Sequence, residues 1–437
     1  MELFAKTGLD NLLAFPDYLM PELRQQQYFC ILNSNRQKTK FDGNFDMMIA
    51  AGHTNFLSIN ENDKNAFQLL RSFHKDNNDW LFGHLSYDLK NETEDLQSNN
   101  IDNINIAAMT FFSPLVLIKI KNNIAEFFIS EKKRDTAIEL AERLMEKTEP
   151  RNKLPEQKFN RSGIVVKNRM SKEDYFRKFE KIKNHIQYGD IYEMNFCQEF
   201  YAENAELDPY SYYLHLNRLS PAPFSVFYRT EDNYLISSSP ERYLKKTGSR
   251  IISQPIKGTA PRHPDPAKDK VSKQKLESDP KERAENIMIV DLVRNDLSRT
   301  AAKGSVKVEE LCGIYSFSQV HQMISTVTSI LDSRFDFVDL LSTTFPMGSM
   351  TGAPKIRAME LIEDYEDTKR GLYSGAVGYI TPNGDFDFNV VIRSVLYDSK
   401  TKYLSFITGG AITSGSTAER EYNECLLKAK AITESLK

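Results

Sequence analysis

The segment from Gly378 to Ile392, GYITPNGDFDFNVVI, joins two strand-like runs through the turn sequence PNGD. An Asn-Gly pair between apolar and aromatic runs is a strong short-range signal for an antiparallel hairpin. Strand-like runs recur along the chain, among them QYFCIL, FSVFYR, NYLISSS, FDFNVVIRSVLY and YLSFITGGAI. Many antiparallel strands with helices scattered among them predict an α+β fold.

Apolar periodicity and end signals predict helices between these runs. The polar stretch PRNKLPEQKFNRSG, from Pro150 to Gly163, is predicted to be a linker or a long crossing loop. We expect residues 1–150 to form an N-terminal α+β part and residues 164–437 to form a second part, the two packing as one large body. The predicted helices are Lys133–Glu149, Lys172–Tyr188, Pro280–Arg299, Pro354–Asp364 and a last one that begins near Thr417.

The net charge of −3 gives no broad positive surface for nucleic acid. No apolar run approaches the ~20 residues of a membrane span, and the first residues have no basic segment before an apolar one. The four cysteines lie far apart and form no CxxC pair, which argues against zinc and against disulfides. We therefore expect a soluble cytoplasmic protein with neither a nucleic-acid partner nor a membrane partner.

Two pairs of glutamates stand three residues apart in predicted helices: Glu282 with Glu285, and Glu421 with Glu424. Residues three apart share one helix face, and Lys428 extends the second face by one turn. Either pair alone is compatible with an ordinary solvated surface. Two pairs that converge could instead hold Mg²⁺, which accepts a few carboxylates together with an anionic ligand.

Lys257 lies in QPIKGTAPR, between the turn-forming residues Pro255 and Gly258. A lysine in such a segment is usually on the surface. Glu241, which follows the strand-like run ending in SSS, precedes Lys257 by sixteen residues. If the fold brings the two together, a carboxylic acid and an amine could act as acid and nucleophile.

Three further residues could contact an anion. Arg393 is an isolated cation in the predicted strand NVVIRSV, so it must pair, reach solvent or bind an anionic ligand. Gly409 and Gly410 follow the strand-like run YLSFIT, where free backbone N–H groups could bind an anion. Ordinary tight-turn glycines remain the alternative for this pair.

Eight ordered blocks resemble the chorismate-utilising enzyme family: GDIYEMNFCQEF, SSSPE, PIKGT, KERAENIMIVDLVRND, FPMGSMTGAPKIRAMELI, YSGAVGYI, VVIRS and EREYNECLLKA. The resemblance runs from about Val165 to the C-terminus, which makes residues 164–437 the chorismate-binding catalytic part. It implies a large α+β body with two antiparallel sheets packed face to face.

The resemblance also implies roles for single residues. Glu282, Glu285, Glu421 and Glu424 correspond to the family's Mg²⁺ ligands, and the metal holds the ring carboxylate of chorismate. Glu241 corresponds to the acid that protonates the departing C4 hydroxyl. The implied substrate-binding residues are Ser349, Tyr373, Arg393, Gly409, Gly410 and Lys428.

Lys257 separates branches of this family. Members that form anthranilate, isochorismate or salicylate typically carry alanine there, and members that form 4-amino-4-deoxychorismate carry a lysine that attacks the ring. That chemistry requires a neutral amine, which burial near another cation would favour. The resemblance thus implies amination of chorismate for p-aminobenzoate and folate synthesis. The ammonia would come from a separate glutamine amidotransferase subunit in a heterodimer, because no GxCxG segment surrounds a cysteine here.

Two alternatives stay open: an anthranilate-forming enzyme, and a non-catalytic protein that binds chorismate or tryptophan. Three positions also depart from the family pattern. Glu193 stands where water-adding members carry lysine and amine-forming members usually carry glutamine. Gln322 replaces a histidine, with His321 one position early, and Ala411 replaces the third glycine of a GGG run.

Overall fold

The computed structural model describes residues 1–9, 12, 15–37, 45–61, 63–146 and 163–436. The predicted linker, apart from Gly163, lies outside these ranges. The described residues form twenty-two strands: β1 Glu2–Gly8, β2 Tyr28–Asn33, β3 Met47–Ala51, β4 Asn55–Ile59, β5 Leu81–Leu85, β6 Met109–Ser113, β7 Val116–Lys121, β8 Ile124–Ile129, β9 Lys167–Asn168, β10 Glu193–Ala202, β11 Phe224–Thr230, β12 Asn233–Ser239, β13 Arg242–Thr247, β14 Arg250–Gln254, β15 Ile256–Pro261, β16 Lys307–Ser316, β17 Val320–Ile330, β18 Gly352–Ala353, β19 Ala376–Ile380, β20 Phe386–Asn389, β21 Ser394–Asp398 and β22 Tyr403–Ile412.

The same described ranges contain eleven α-helices: α1 Phe15–Leu23, α2 Ala66–Asn77, α3 Lys90–Thr93, α4 Arg134–Glu146, α5 Lys172–Tyr188, α6 Pro209–Leu219, α7 Pro266–Ser278, α8 Pro280–Ser298, α9 Phe337–Thr344, α10 Lys355–Tyr365 and α11 Ala418–Ser435. The predicted helix at Lys172–Tyr188 is confirmed at both ends. Its Ser171 side chain accepts a hydrogen bond from Asp174 N, and Gly189 ends it in the left-handed conformation. The predictions at Pro280–Arg299, Pro354–Asp364 and Thr417 are confirmed to within one residue at each predicted end. The predicted helix Lys133–Glu149 is confirmed as α4 up to Glu146, and its predicted residues 147–149 lie outside the described residues. The remaining six helices were not predicted.

Two antiparallel sheets contain the strands, which agrees with the expected fold. The first has the order β1-β8-β7-β3-β2-β11-β12-β21-β22-β10-β18, with β9 beside β10. The second has the order β15-β17-β14-β13-β20-β19-β5-β6-β4, with β16 beside β17. Strands from the first 130 residues therefore lie in both sheets, next to strands from the rest of the chain.

The three largest clusters of buried apolar side chains form layers. Between the sheets lie the side chains of Tyr28, Phe82 and Tyr379, together with others from both inner faces. Helices α1, α4, α6 and α11 cover the outer face of the first sheet, and α2, α8 and α9 cover the second. Since each fully buried large side chain contributes about 1.5–3 kcal/mol, these layers hold the strand ends rigidly enough to position a site.

The predicted hairpin is confirmed, because β19 and β20 pair with Gly378 opposite Phe388. The interpretation of Arg393 as a strand residue is wrong. Residues 390–393 lie between β20 of the second sheet and β21 of the first, so the apolar run is a crossing from one sheet to the other. Arg393 has φ 51°, a left-handed conformation that costs about 1–2 kcal/mol for a residue with a Cβ.

No helix in the described part of the chain is long and apolar enough to cross a bilayer.

Candidate active site

Two sheet-to-sheet crossings meet at one corner of the molecule. The first runs from β12 to β13 through Pro240 and Glu241, and the second is the crossing at residues 390–393. Val390 N donates to Glu241 O at 3.0 Å, and Ser238 N donates to Arg393 O at 3.1 Å. These backbone bonds bring the acid and the arginine to the same corner, although 152 positions separate them in the sequence.

Glu241 is 4% exposed. Burial raises the pKa of its carboxyl to about 7, against the opposing effects of a hydrogen bond with Ser349, the Lys257 charge and the Ile256 N–H. A carboxyl with this pKa is partly protonated near neutral pH, as a general acid requires. The structure therefore brings together three predicted site residues: Glu241, Ser349 and Lys257.

Lys257 lies on strand β15 with only 12% of its side chain exposed, so the surface alternative for this lysine is wrong. Its Nζ donates to Glu193 Oε1 at 2.9 Å. Burial acts to lower the pKa of Lys257, but Glu193, together with the charges of Glu285 and Glu241, outweighs burial and holds the pKa above its ordinary value. The charges that act most strongly on Lys257 are carboxylates and not the neighbouring cation that the sequence led us to expect, so the resting form of Lys257 is an ammonium.

Gly258 allows strand β15 to approach the first acidic pair, Glu282 and Glu285. Its φ is +94°, and a Cβ there would lie 3.1 Å from Glu282 Oε2. A side chain at this position would be strained and crowded at once. Glycine after Lys257 thus lets β15 pack closely against helix α8.

The two acidic pairs lie on α8 and α11, as predicted, and a lysine lies between them. Lys281 Nζ is 3.4 Å from Glu285 Oε1 and 3.7 Å from Glu421 Oε1. Sequence reasoning missed Lys281, although its i,i+4 spacing to Glu285 is the usual signal for a helical ion pair. The ammonium of Lys281, a residue of α8, therefore lies near carboxylates of both helices.

Burial raises the pKa of Glu285 to about 7, with Lys257 and Lys281 opposing it. At Glu424, burial acts to raise the pKa, but Lys428 at 3.0 Å, together with the charges of Lys281 and Arg420, outweighs burial and lowers the pKa below its ordinary value. Two glutamates of this group carry a buried oxygen without a hydrogen bond, Glu285 Oε1 and Glu421 Oε1. These are the two oxygens that lie near the Lys281 ammonium, and buried carboxylate oxygens without a hydrogen bond fit a hard divalent cation.

The glutamates are near one another, but they do not form a complete metal-binding site. Within the described ranges, no group of three or more His, Cys, Asp or Glu side chains is arranged to hold a metal ion. Lys281 occupies the space between the helices, so a cation would have to displace its ammonium. Carboxylates are the type of ligand that Mg²⁺ prefers, but these four are not arranged around a common point that a cation could occupy.

The prediction that Gly409 and Gly410 follow a strand is wrong. Both lie within β22, where Gly409 pairs with Cys197 and Gly410 with Phe196 of β10. Lys428 Nζ donates to Gly409 O at 2.7 Å, so this carbonyl is occupied by the lysine. Gly410 faces the Glu421 and Glu424 carboxylates. Both glycines and Lys428 thus border the second acidic pair.

Tyr373 is buried, and its hydroxyl lies 3.7 Å from Cys197 Sγ. Sequence reasoning missed the buried ion pair beside it, in which Arg370 bonds to Glu366 at 2.6 Å. Arg370 also donates to Asn195 O at 3.0 Å and to Met350 O at 2.7 Å. The pair ties β10 to the turn that carries Ser349, and an i,i+4 Glu–Arg spacing was the available signal.

His321 and Gln322, the two residues at the position of the family's histidine, point to opposite faces of strand β17, because they are successive strand residues. His321 bonds to Ser316 Oγ at 2.8 Å and to Asp269 Oδ1 at 3.1 Å, away from the acid and the amine. Gln322 is buried, and its Oε1 has no hydrogen bond.

Replacing Glu241 with glutamine should stabilise the protein above neutral pH. A folded-state pKa of about 7, above the ordinary 4.5, means that folding loses stability as the pH rises through this window. Glu241→Gln removes the ionisation, so we expect about 2–3 kcal/mol of added unfolding free energy near pH 8 and almost none near pH 4.5. Urea denaturation at both pH values measures the difference, and an equal effect at the two would contradict the assigned cause.

The fold and the site define a class: an α+β enzyme with two face-to-face sheets, whose buried acid and amine lie beside a group of carboxylates. The chain belongs to the chorismate binding enzyme family, whose sequence profile matches residues 26–434.

The chain is similar to aminodeoxychorismate synthase component 1 of Escherichia coli, with 41% identity over 267 residues. That match covers 61% of this chain and 58% of the relative's length. It is also 33% identical to anthranilate synthase component 1 of Aquifex aeolicus over 82% of this chain and 74% of that one. The crystal structure of anthranilate synthase component I from Streptococcus pneumoniae superposes with a TM-score of 0.79 at 25% identity, covering 91% of this chain and 95% of that one.

Proposed function

We propose that this protein aminates chorismate to 4-amino-4-deoxychorismate, the precursor of p-aminobenzoate in folate synthesis. The observation that carries the proposal is the position of Lys257: a largely buried amine beside the Glu241 acid, whose pKa is about 7. The similarity to aminodeoxychorismate synthase component 1 supports the same reaction.

The proposed chemistry has two displacements. The neutral Lys257 amine attacks C2 of the ring, the ring double bond shifts, and the C4 hydroxyl leaves as water with the proton of Glu241. Ammonia then attacks C4, the double bond shifts back, and Lys257 leaves as a neutral amine. Glu241 regains a proton from solvent, so the sum is chorismate and ammonium giving the amino product and water.

The charged side chains at the corner where the two crossings meet support binding of the substrate in one orientation. Burial lowers the pKa of Arg393, with the Glu241 charge opposing it, which indicates a desolvated guanidinium suited to a carboxylate. We assign Arg393 to the enolpyruvyl carboxylate and place Ser349, Tyr373, Gly409, Gly410 and Lys428 around the ring.

Glu282, Glu285, Glu421 and Glu424 would hold Mg²⁺, which when bound supplies positive charge for the ring carboxylate. The chain's own contribution is the four carboxylates, and Lys281 balances part of their charge until a cation binds.

The single chain should use ammonium and should not use glutamine. A separate glutamine amidotransferase subunit is the proposed ammonia source. Incubation with chorismate, Mg²⁺ and either nitrogen donor, followed by mass spectrometry, is expected to give 4-amino-4-deoxychorismate with ammonium only. Release of pyruvate and a fluorescent aromatic amine would instead identify anthranilate formation, and turnover with glutamine would contradict the proposed partner.

A further inference from the structure

The backbone of Glu193, the partner of Lys257, is held against strand β18. Glu193 is the first residue of β10 and pairs with Ala353 of β18, while the preceding Tyr192 N donates to Ala353 O at 2.7 Å. A Cβ on Gly352 would lie only 2.2 Å from Glu193 O, so glycine is needed for this close approach. The carboxylate therefore sits on a rigid element, as precise positioning requires.

The two carboxylate oxygens of Glu193 have different surroundings. Oε1 accepts from Lys257 Nζ at 2.9 Å, and Oε2 is buried without a hydrogen bond. Glu193 is 0% exposed, and among the described residues Lys257 is its one ion-pair partner. A fully buried carboxylate with an open oxygen is costly when charged, and Oε2 is a place where a proton can reside.

We propose that Glu193 is a positioning residue for Lys257. It holds the Lys257 amine next to the start of β10, and it accepts the proton of that amine when the amine becomes the nucleophile. This inference rests on the proposed function. Moving one proton from Lys257 to Glu193 turns an ion pair into a neutral amine and a neutral acid, without a change in net charge. When Lys257 later leaves as a neutral amine, the same proton returns to it.

Other charged groups face this pair from the surrounding elements. Glu285 of α8 and Glu241 of the first crossing act on Lys257, and Glu193 has the largest charge effect on it. Behind them, Lys281 faces Glu285 and Arg393 faces Glu241. Both carboxylates favour the ammonium of Lys257, so a local acceptor is needed to free the amine at neutral pH.

The positioning half is tested without chorismate, by competitive acetylation of Lys257 with acetic anhydride across pH in saturating Mg²⁺. In Glu193→Gln, burial still disfavours the ammonium and its main counter-charge is gone, so the labelling midpoint should fall by at least about one pH unit. The control is Glu199→Gln, which removes another buried carboxylate of β10, one that accepts from Arg169 at 2.9 Å. An unchanged midpoint in Glu193→Gln would overturn the inference.

The proton-transfer half is tested with the wild-type protein alone. Without ammonia, the chorismate adduct on Lys257 is timed by mass spectrometry at about pH 5.5 and about pH 6.5, where Glu241 stays largely protonated. If the proton passes to Glu193, the two rates should agree within about twofold, because the pair keeps its single proton. A drop of about tenfold at the lower pH would overturn it, because the proton would then be lost to solvent. If no adduct forms at either pH, the proposed function fails, and the acetylation result still decides the positioning role.

Discussion

Lys257→Ala is expected to lower turnover of chorismate with ammonium by roughly three orders of magnitude or more, while chorismate affinity changes only a few-fold. The substitution removes the amine that is proposed to bond to the ring, and it leaves the charges assigned to the two substrate carboxylates. Steady-state kinetics with ammonium gives the turnover, and equilibrium binding of chorismate gives the affinity.

Two controls separate chemistry from charge in that experiment. Lys257→Arg keeps a cation beside Glu193 but offers no neutral amine, so its turnover should fall as far as in Lys257→Ala. Lys246→Ala removes another part-buried lysine, paired with Asp385 at 3.0 Å, and should leave turnover unchanged. Without ammonia, the wild-type protein should gain the mass of chorismate minus water at Lys257. Full activity in Lys257→Ala would mean that the lysine has no chemical role.

Glu285→Gln is expected to abolish the Mg²⁺ dependence of turnover and to reduce the rate at least about a hundredfold. Glutamine keeps the size of the side chain and removes one ligand charge. Folding should not suffer, because burial already raises the pKa of this carboxyl to about 7 and a neutral side chain removes that cost. Titration of activity with Mg²⁺ and thermal unfolding with and without the metal are the measurements.

The thermal measurement tests binding apart from catalysis. A metal that binds only the folded protein raises its stability with concentration, so Mg²⁺ should raise the melting temperature of the wild type and not of Glu285→Gln. Asp291→Asn is the matched control, since Asp291 lies on the exposed face of the same helix and pairs with Arg294 at 2.7 Å. The same Mg²⁺ response in Glu285→Gln and the wild type would remove Glu285 from the metal site.

The local sequence was enough to predict helices and turns that are determined by residues close together in the chain. Helix Lys172–Tyr188 has a serine cap, an apolar stripe and a terminal glycine, and the hairpin at Gly378–Ile392 has its Asn-Gly turn. The acidic pairs follow from helical spacing alone. Arg393 shows the limit, because VVIR has the composition of a strand, and only the sheets on either side make it a crossing.

The sequence by itself determined the α+β class, the motif order and the residues that could act as acid, amine and metal ligands. Only the tertiary structure decided that Lys257 is paired with Glu193, 64 positions away, and that its resting form is charged. The physical reason is that burial and ion pairing depend on strands that meet across the sheets. A pKa is set by such neighbours, whereas periodicity and caps are set within a few residues.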